Sequence, residues 1–542
     1  MERTLWDLLC KAAHDEPDRI ALSEAASGRA VSWSALADLA DRVSAGLLHL
    51  GIRRGDRVVI ALPNRIEFVA AYFGVLRAGL VAVPVSPRAT TGEFLRVMGD
   101  SAATAVIVDV VGIASARAAV EGMRSVLSVP EVATRSAMEM IVVETAVEPD
   151  ERMWASLVGG AIADPETRED GIPLVDPESL GLLLYTSGTS GRPRGAMLTQ
   201  RALMANIDQV GQVDPPMLLG RDVVLALVPL FHIYGLNAIL GQAVAKHARV
   251  VLVDGFDPEG SLDLIEDEAI SVVPAAPPVF AHWMQIEDLA DRLGAVRFTL
   301  SGSAPISSEL VEDFVSRTSI PLHQGYGMSE TAPVLTSTMA SSFGAAHGAL
   351  GGRPNGSVGA PLPGIEVRVV AAPVPEGRET ERGGEIQVRG PNLFSGYWPD
   401  GHGGPDPDGW YATGDVGFLD AYGDLHLVDR LKELIIVSGF NVFPSEVEEV
   451  IADVPDVAAV AVVGLPDPVS GEAVAAWVRP ADHADRMRIV EDVLEACRNR
   501  LASYKVPSVV HVVERLPHTP TGKVQRGRLR AMERQRTAPA FE

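Results

Sequence analysis

The chain has 542 residues, 47% of them hydrophobic and 22% charged, with a net charge of −25 and two cysteines, Cys10 and Cys497. That length exceeds what one hydrophobic core supports, so two or more domains are expected. The charge disfavours a nucleic-acid partner and general adhesion to anionic membrane. Two cysteines without a Cys-x-x-Cys exclude a disulfide framework, and the start, "MERTLWDLLCKAAHDEPDRI", lacks the apolar core of a signal peptide, so a reducing, cytoplasmic setting is expected.

Short strand-like runs alternate with longer helical patterns along most of the chain. "DRVVIALP" precedes the helical "NRIEFVAAYFGVLRAG", which precedes "LVAVPVS"; later, "ARVVLVDG" precedes "PEGSLDLIEDEAI". The most apolar stretch, "FVAAYFGVLRAGLVAVPV" from Phe68, is broken by Arg77, Gly79 and Pro84. It reads as a buried helix followed by a strand, not a membrane span. Such alternation predicts an α/β fold with parallel sheets. The stretch from Val147 to Ser179, rich in Asp, Glu and Pro, reads as a surface connection. From Gly351 to Trp410 glycine and proline become dense and short alternating runs appear ("GIEVRVV", "GEIQVRG"), which predicts a smaller β-rich subdomain. After Asp429 the pattern returns to mixed α/β. The expected division is a large N-terminal domain, residues 1–429, and a small α/β C-terminal domain, residues 430–542.

Several stretches carry chemistry. "YTSGTSGRPRG", from Tyr185 to Gly195, holds three glycines, four Ser/Thr hydroxyls and two arginines without an acid. It follows the strand "LLLY" and precedes a helix capped by Thr199. Glycines admit backbone N–H groups close to an anion, so a phosphate cradle at a helix start is favoured over a linker. The Gly-Lys-Ser/Thr of a Walker loop is absent. In "HQGYGMSETAPV", Glu330 could hold Mg²⁺ against substrate phosphates; taken alone, a helix start capped by Ser329 is the favoured reading. In "GWYATGD", Asp415 either accepts from ribose hydroxyls or closes a turn. "RLPHTPTGKVQRGRLR" has five Lys/Arg and no acid; Lys523 on its turn is either a point charge for one step or part of a solubilising tail. His232 in "PLFHIYGL" alone reads as a core histidine. Zinc, hydrolase-elbow and dinucleotide patterns are missing.

The order of these stretches is more specific than any one of them. The Gly/Ser/Thr loop, "PLFHIYGLN", "SGSAP", "GYGMSET", "WYATGD", "VDRLKELIIVSGFNVFPSEVE" and "PTGK" together resemble the adenylate-forming superfamily of AMP-dependent acyl-CoA synthetases, luciferases and adenylation domains, over almost the whole chain. The resemblance implies an active site between the two domains and a reaction in two halves. A carboxylate attacks the α-phosphorus of Mg²⁺-bound ATP, and pyrophosphate leaves. The C-terminal domain then rotates, and a thiol attacks the acyl-adenylate. It implies that Thr186, Ser187, Gly188, Thr189, Ser190, Gly191, Arg194 and Gly195 cradle the β- and γ-phosphates and that Glu330, with Thr186, serves the metal. Thr331, beside Ser329, is expected at the α-phosphate. Asp415 and Arg430 are expected at the ribose. Ser303, Ala304, Pro305 and the backbone of Gly325, Tyr326, Gly327 and Met328 are expected to line the adenine slot. His232 is expected at the acyl pocket and Lys523 between carboxylate and α-phosphate. Lys432 matches the hinge, and Gly439, Phe440 and Asn441 match the segment that lines the coenzyme A tunnel.

Two positions depart from the family pattern: Arg194 replaces the usual lysine, and Gln200 replaces a histidine. The resemblance implies an acid–thiol ligase that joins a medium- or long-chain fatty acid to coenzyme A. An aryl or cinnamic-type acid, and a carrier protein as acceptor, stand as alternatives. A catalytically silent member is disfavoured because Lys523, Glu330 and Asp415 are all present. No transmembrane segment is expected; peripheral membrane contact and a homodimer stay open.

Overall fold

Strands buried on both faces need helices on both sides, and the apolar runs of the N-terminal half provide them. The computed structural model describes residues 4–127, 138–143, 148, 151–159, 175–186, 194–304, 306–341, 356–370, 383–430, 433, 435–437, 440–467, 471–481, 484–486, 488–501, 503–519 and 522–537. One sheet runs in the order Glu151–Met153, Glu139–Val143, Ala105–Asp109, Arg57–Ala61, Val81–Pro84, Leu180–Thr186 and Arg194–Thr199. Its neighbours pair in parallel, except that Leu180–Thr186 and Arg194–Thr199 are antiparallel. A nine-stranded sheet has Ile20–Glu24, Arg249–Leu252, Val223–Ala226, Val272–Ala275, Phe298–Ser301 and Leu322–Gly327 as its parallel core.

A single hydrophobic cluster joins the two sheets through the helices Trp33–His49 and Ile66–Arg77. The second helix is buried from Ile66 to Leu76, as a helix apolar all round must be. With the strand Val81–Pro84 after it, this is the helix and strand that the Phe68 stretch predicts. Among the described residues no helix is long and apolar enough to cross a membrane.

Two expectations need correction. The Val147–Ser179 stretch holds an edge strand, Glu151–Met153, and a short helix, Trp154–Gly159, that buries Trp154 and Leu157, so it is not connection alone. The β-rich subdomain is an antiparallel sheet of Glu366–Val370, Gly384–Arg389, Tyr411–Leu419 and Leu425–Arg430. Its last two strands lie beyond Trp410, where the expected subdomain ended.

The small C-terminal sheet runs Phe440–Val442, Ile435–Val437, Gly471–Pro480 and Val457–Asp467, with Val509–Val512 parallel to Gly471–Pro480. The helices Pro444–Ala452 and Arg488–Arg500 share its core. The whole is an α/β architecture, a large N-terminal part followed by a small C-terminal one.

Candidate active site

The phosphate loop is not at a helix start. Thr186 ends one strand, Arg194 begins the next, and the two residues pair directly, so the stretch links two antiparallel strands. Thr199 caps the helix Gln200–Gly211 as expected, accepting from Ala202 N–H, with the strand Arg194–Thr199 lying between it and the loop. Ser187 to Gly191, expected in the cradle, lie outside the described residues. Gly195 accepts from Trp398 N–H at 2.8 Å. The guanidinium of Arg194 lies 3.9 Å over the ring of Tyr397, and its buried Nε has no hydrogen-bond partner among the described residues. A buried donor without an acceptor is costly in a finished fold and suits an anionic ligand. Gln200 faces elsewhere: it is buried, and its side-chain oxygen accepts from Leu5 N–H at the start of the first helix.

The strand Leu322–Gly327 leads into a single 3₁₀ turn, Ser329–Thr331. The chain must pass close to itself here, since a Cβ on Gly327 would sit 1.8 Å from Pro333 O. Thr331 is fully buried. Its hydroxyl donates to Pro333 O at 2.5 Å and accepts from Met328 N–H at 3.1 Å, so it fastens the turn rather than presenting a free donor to phosphate. Asn392 holds the same turn by donating to Thr331 O at 2.7 Å. Asn237, on the π-helix Tyr234–Gly241, donates to Ala332 O just beyond it, also at 2.7 Å.

Glu330, 8% exposed, receives the Tyr397 hydroxyl on Oε1 at 2.6 Å. No described residue bonds its other oxygen. Nor is there, among the described residues, a cluster of three His, Cys, Asp or Glu able to hold a metal alone. One carboxylate with a free oxygen fits a cation that takes its remaining ligands from water and substrate phosphates, as Mg²⁺ does.

Asp415 is 7% exposed on the strand Tyr411–Leu419 and accepts from the Tyr326 hydroxyl at 2.5 Å. Its register partner is Arg430, whose side chain lies outside the described residues. Ser303, with φ +70°, has a buried hydroxyl without a partner among the described residues; Ala304 is half-buried, and Pro305 lies outside the described residues. A buried hydroxyl without a partner suits a polar ligand better than an apolar one.

His232 is half-buried, and its Nδ1 is a buried atom that no described residue bonds. Burial lowers its pKa to about 4, with the Lys523 charge pushing the same way, so the imidazole is neutral at physiological pH. Lys523 is exposed on a closed turn, where its N–H donates to Thr519 Oγ1 at 3.1 Å and its carbonyl accepts from Thr519 N–H at 2.7 Å. A Cβ placed on the adjacent Gly522 would lie 3.4 Å from Pro278 Cγ of the large domain. Arg526 anchors the turn, donating to Glu433 at 2.6 Å and to Glu448 at 2.7 Å. Lys432 and Gly439 lie outside the described residues. Phe440 and Asn441 are in the strand Phe440–Val442, with their side chains outside the description.

Tyr397 and Asn392 escape sequence reasoning. The only signal is an aromatic run in a Gly/Pro-rich loop, "NLFSGYWPDG", and the site partners of these two residues, Arg194, Glu330 and Thr331, are distant in sequence.

The sequence matches the family described as AMP-binding enzyme over residues 9–398, and that described as AMP-binding enzyme C-terminal domain over residues 446–523. It is 30% identical to a long-chain-fatty-acid–CoA ligase of Bacillus subtilis over 97% of this chain and 94% of the relative. It is 35% identical to a feruloyl-CoA synthase of Amycolatopsis over 93% and 94%. The fold matches ATP-bound MatB from Rhodopseudomonas palustris with a TM-score of 0.82 and 29% identity, covering 99% of this chain and 100% of that one. Against the apo form of the same protein the score is 0.71.

Proposed function

Because the chain belongs to the AMP-binding enzyme family, carrying both its large domain and its C-terminal domain, we propose that it activates a carboxylic acid with ATP and passes it to coenzyme A. In the first half a carboxylate oxygen bonds to the α-phosphorus and the bond to pyrophosphate breaks. In the second the thiol sulfur bonds to the acyl carbon, its proton is lost, and AMP leaves. The first half brings two anions together, so its barrier is largely electrostatic.

Lys523 lies between carboxylate and α-phosphate and offsets their repulsion. Arg194 and the loop before it hold the β- and γ-phosphates. Asp415, oriented by Tyr326, accepts from the ribose, and Ser303, Ala304 and the Gly325–Met328 backbone border the base. Glu330 would hold Mg²⁺ through its free oxygen, where the ion would neutralise polyphosphate charge. Neutral His232 borders the acid without adding a cation that would compete with Lys523. For the second half Lys432 is the hinge, and Gly439 to Asn441 line the path of the thiol.

The observation that most supports this reading is that Gly522, next to Lys523 on the C-terminal turn, lies against Pro278 of the large domain, so the lysine's turn meets the N-terminal part. The acid we favour is a medium- or long-chain fatty acid, in line with the Bacillus relative. A second reading, an aryl or cinnamic-type acid, is favoured by the higher identity to the feruloyl-CoA synthase. The test is an assay with ATP, Mg²⁺, coenzyme A and a panel of linear fatty acids, benzoate, coumarate and ferulate, scoring AMP and thioester. AMP and thioester with fatty acids are expected. AMP without thioester would point to a carrier protein as acceptor, and no turnover of any acid would contradict the reading.

A further inference from the structure

The strand Arg194–Thr199 and the Glu330 turn are distant in sequence, and one segment, Phe394 to Trp398, fastens them together. Ser395 N–H donates to Met197 O at 2.9 Å, Met197 N–H to Gly396 O at 3.0 Å, and Trp398 N–H to Gly195 O at 2.8 Å. On the other side Phe394 N–H donates to Glu330 O at 2.9 Å. The crossing needs glycine: Gly396 has φ +99°, and a Cβ there would lie 1.9 Å from Gly401 O.

At the centre is Tyr397, 4% exposed. Its ring lies under Arg194, its hydroxyl donates to Glu330 Oε1, and Tyr411 lies beside it across Phe394. Phe394 meets both tyrosines edge-on, at 5.1 Å and 5.0 Å between ring centroids. A tyrosine hydroxyl keeps its proton at neutral pH, so Tyr397 donates to the Glu330 carboxylate.

We propose that Tyr397 is a positioning residue for the metal–nucleotide complex: its hydroxyl occupies one oxygen of Glu330 and leaves the other to the cation, while its ring holds the Arg194 guanidinium for the polyphosphate. This rests on the nucleotide reading above. It also gives Arg194 a reason. A guanidinium stacks its flat face on the ring and keeps its edge N–H groups for an anion, which an ammonium cannot do.

The test is electron paramagnetic resonance of Mn²⁺ titrated into the full chain with a non-hydrolysable ATP analogue, beside calorimetry of the analogue without metal. Tyr397→Phe keeps the ring and removes the donor. It should raise the Mn²⁺ dissociation constant about tenfold, the scale of one hydrogen bond to a charged group, and leave metal-free analogue binding unchanged. Arg194→Lys should do the opposite, weakening metal-free binding about fivefold, the scale of a cation–π contact. In a Glu330→Gln background, Tyr397→Phe should have no further effect on Mn²⁺. Tyr411→Phe, which leaves Tyr397 intact, should shift Mn²⁺ affinity in the same direction by less, and so carries the test if Tyr397→Phe melts early. Unchanged Mn²⁺ affinity in both tyrosine variants, with Glu330→Gln weakening it, would overturn the inference alone. A wild-type chain that binds no analogue would overturn the nucleotide reading and this inference with it.

Discussion

Glu330 and Lys523 are the two charges on which the proposed first half-reaction depends, and they are held in opposite ways. Glu330 is buried on a turn fastened from several sides: the Thr331 hydroxyl, Asn392, the Phe394 backbone and Tyr397. Lys523 is exposed, and Thr519 and, through Arg526, Glu433 and Glu448 support its turn; all of these lie beyond residue 432. Gly522 beside Pro278 marks where the turn meets the large domain. On the proposed reading the contrast has a physical reason. A carboxylate that orients a metal gains from a rigid, buried seat, whereas a charge needed for one half-reaction must be able to leave.

The largest effect that could break this contrast is at the arriving charge. Lys523→Ala should slow acyl-adenylate formation by about 10³-fold, the scale of removing one preorganised charge from a transition state. It should spare thioester formation from supplied acyl-adenylate; equal loss in both halves, measured by pyrophosphate release and thioester yield, would contradict a charge that serves one half only.

At the fixed side, His232 gives a pH signature. Its folded pKa of about 4 lies below the ordinary 6.5, so between these values the unfolded chain binds one more proton than the folded one. Stability is therefore lost as pH falls from 6.5 toward 4, by about 1.4 kcal/mol per unit within that window. His232→Gln should show a shallower fall in urea unfolding free energy between pH 7 and pH 5; an identical slope would remove the histidine from the account.

A smaller effect sharpens the description of the moving turn. Arg526→Gln removes the ion pairs to Glu433 and Glu448 and should cut adenylation about tenfold, the scale of a charged hydrogen bond, with Arg526→Lys intermediate. Adenylation at the wild-type rate in Arg526→Gln would mean that the turn needs no such anchor. The smallest effect is expected at Gln200, which ties the first helix to the helix Gln200–Gly211. Gln200→His should shift the melting temperature slightly and change neither half-reaction; a tenfold loss of adenylation would place this residue in the chemistry.

How much of this was legible in sequence depended on range. The helix and strand from Phe68 follow from a continuous apolar run and its Gly and Pro breaks, which are local signals. The order of the motifs was equally readable. The strand Arg194–Thr199 was not: "RGAML" after a glycine-rich loop looks like the lead-in to a helix, and only its antiparallel pairing with Leu180–Thr186 and its bonds to Gly396 make it a strand. The π-helix Tyr234–Gly241 hides within an apolar run that suits an ordinary helix equally well. The strand Tyr411–Leu419 contains the Thr-Gly-Asp motif of Asp415, a turn signal that hides its pairing with Gly384–Arg389 and Leu425–Arg430. Tyr397 illustrates the limit, because its partners Arg194, Glu330 and Tyr411 come from three separate segments that only the fold brings together.

On the proposed reading acid and ATP react before any thiol is needed, with the Lys523 turn brought to the Glu330 turn. Acid-dependent exchange of labelled pyrophosphate into ATP, run without coenzyme A, tests this most directly. The account predicts exchange in the wild type, and its loss in Lys523→Ala. Exchange that requires coenzyme A, or that persists without Lys523, would contradict it.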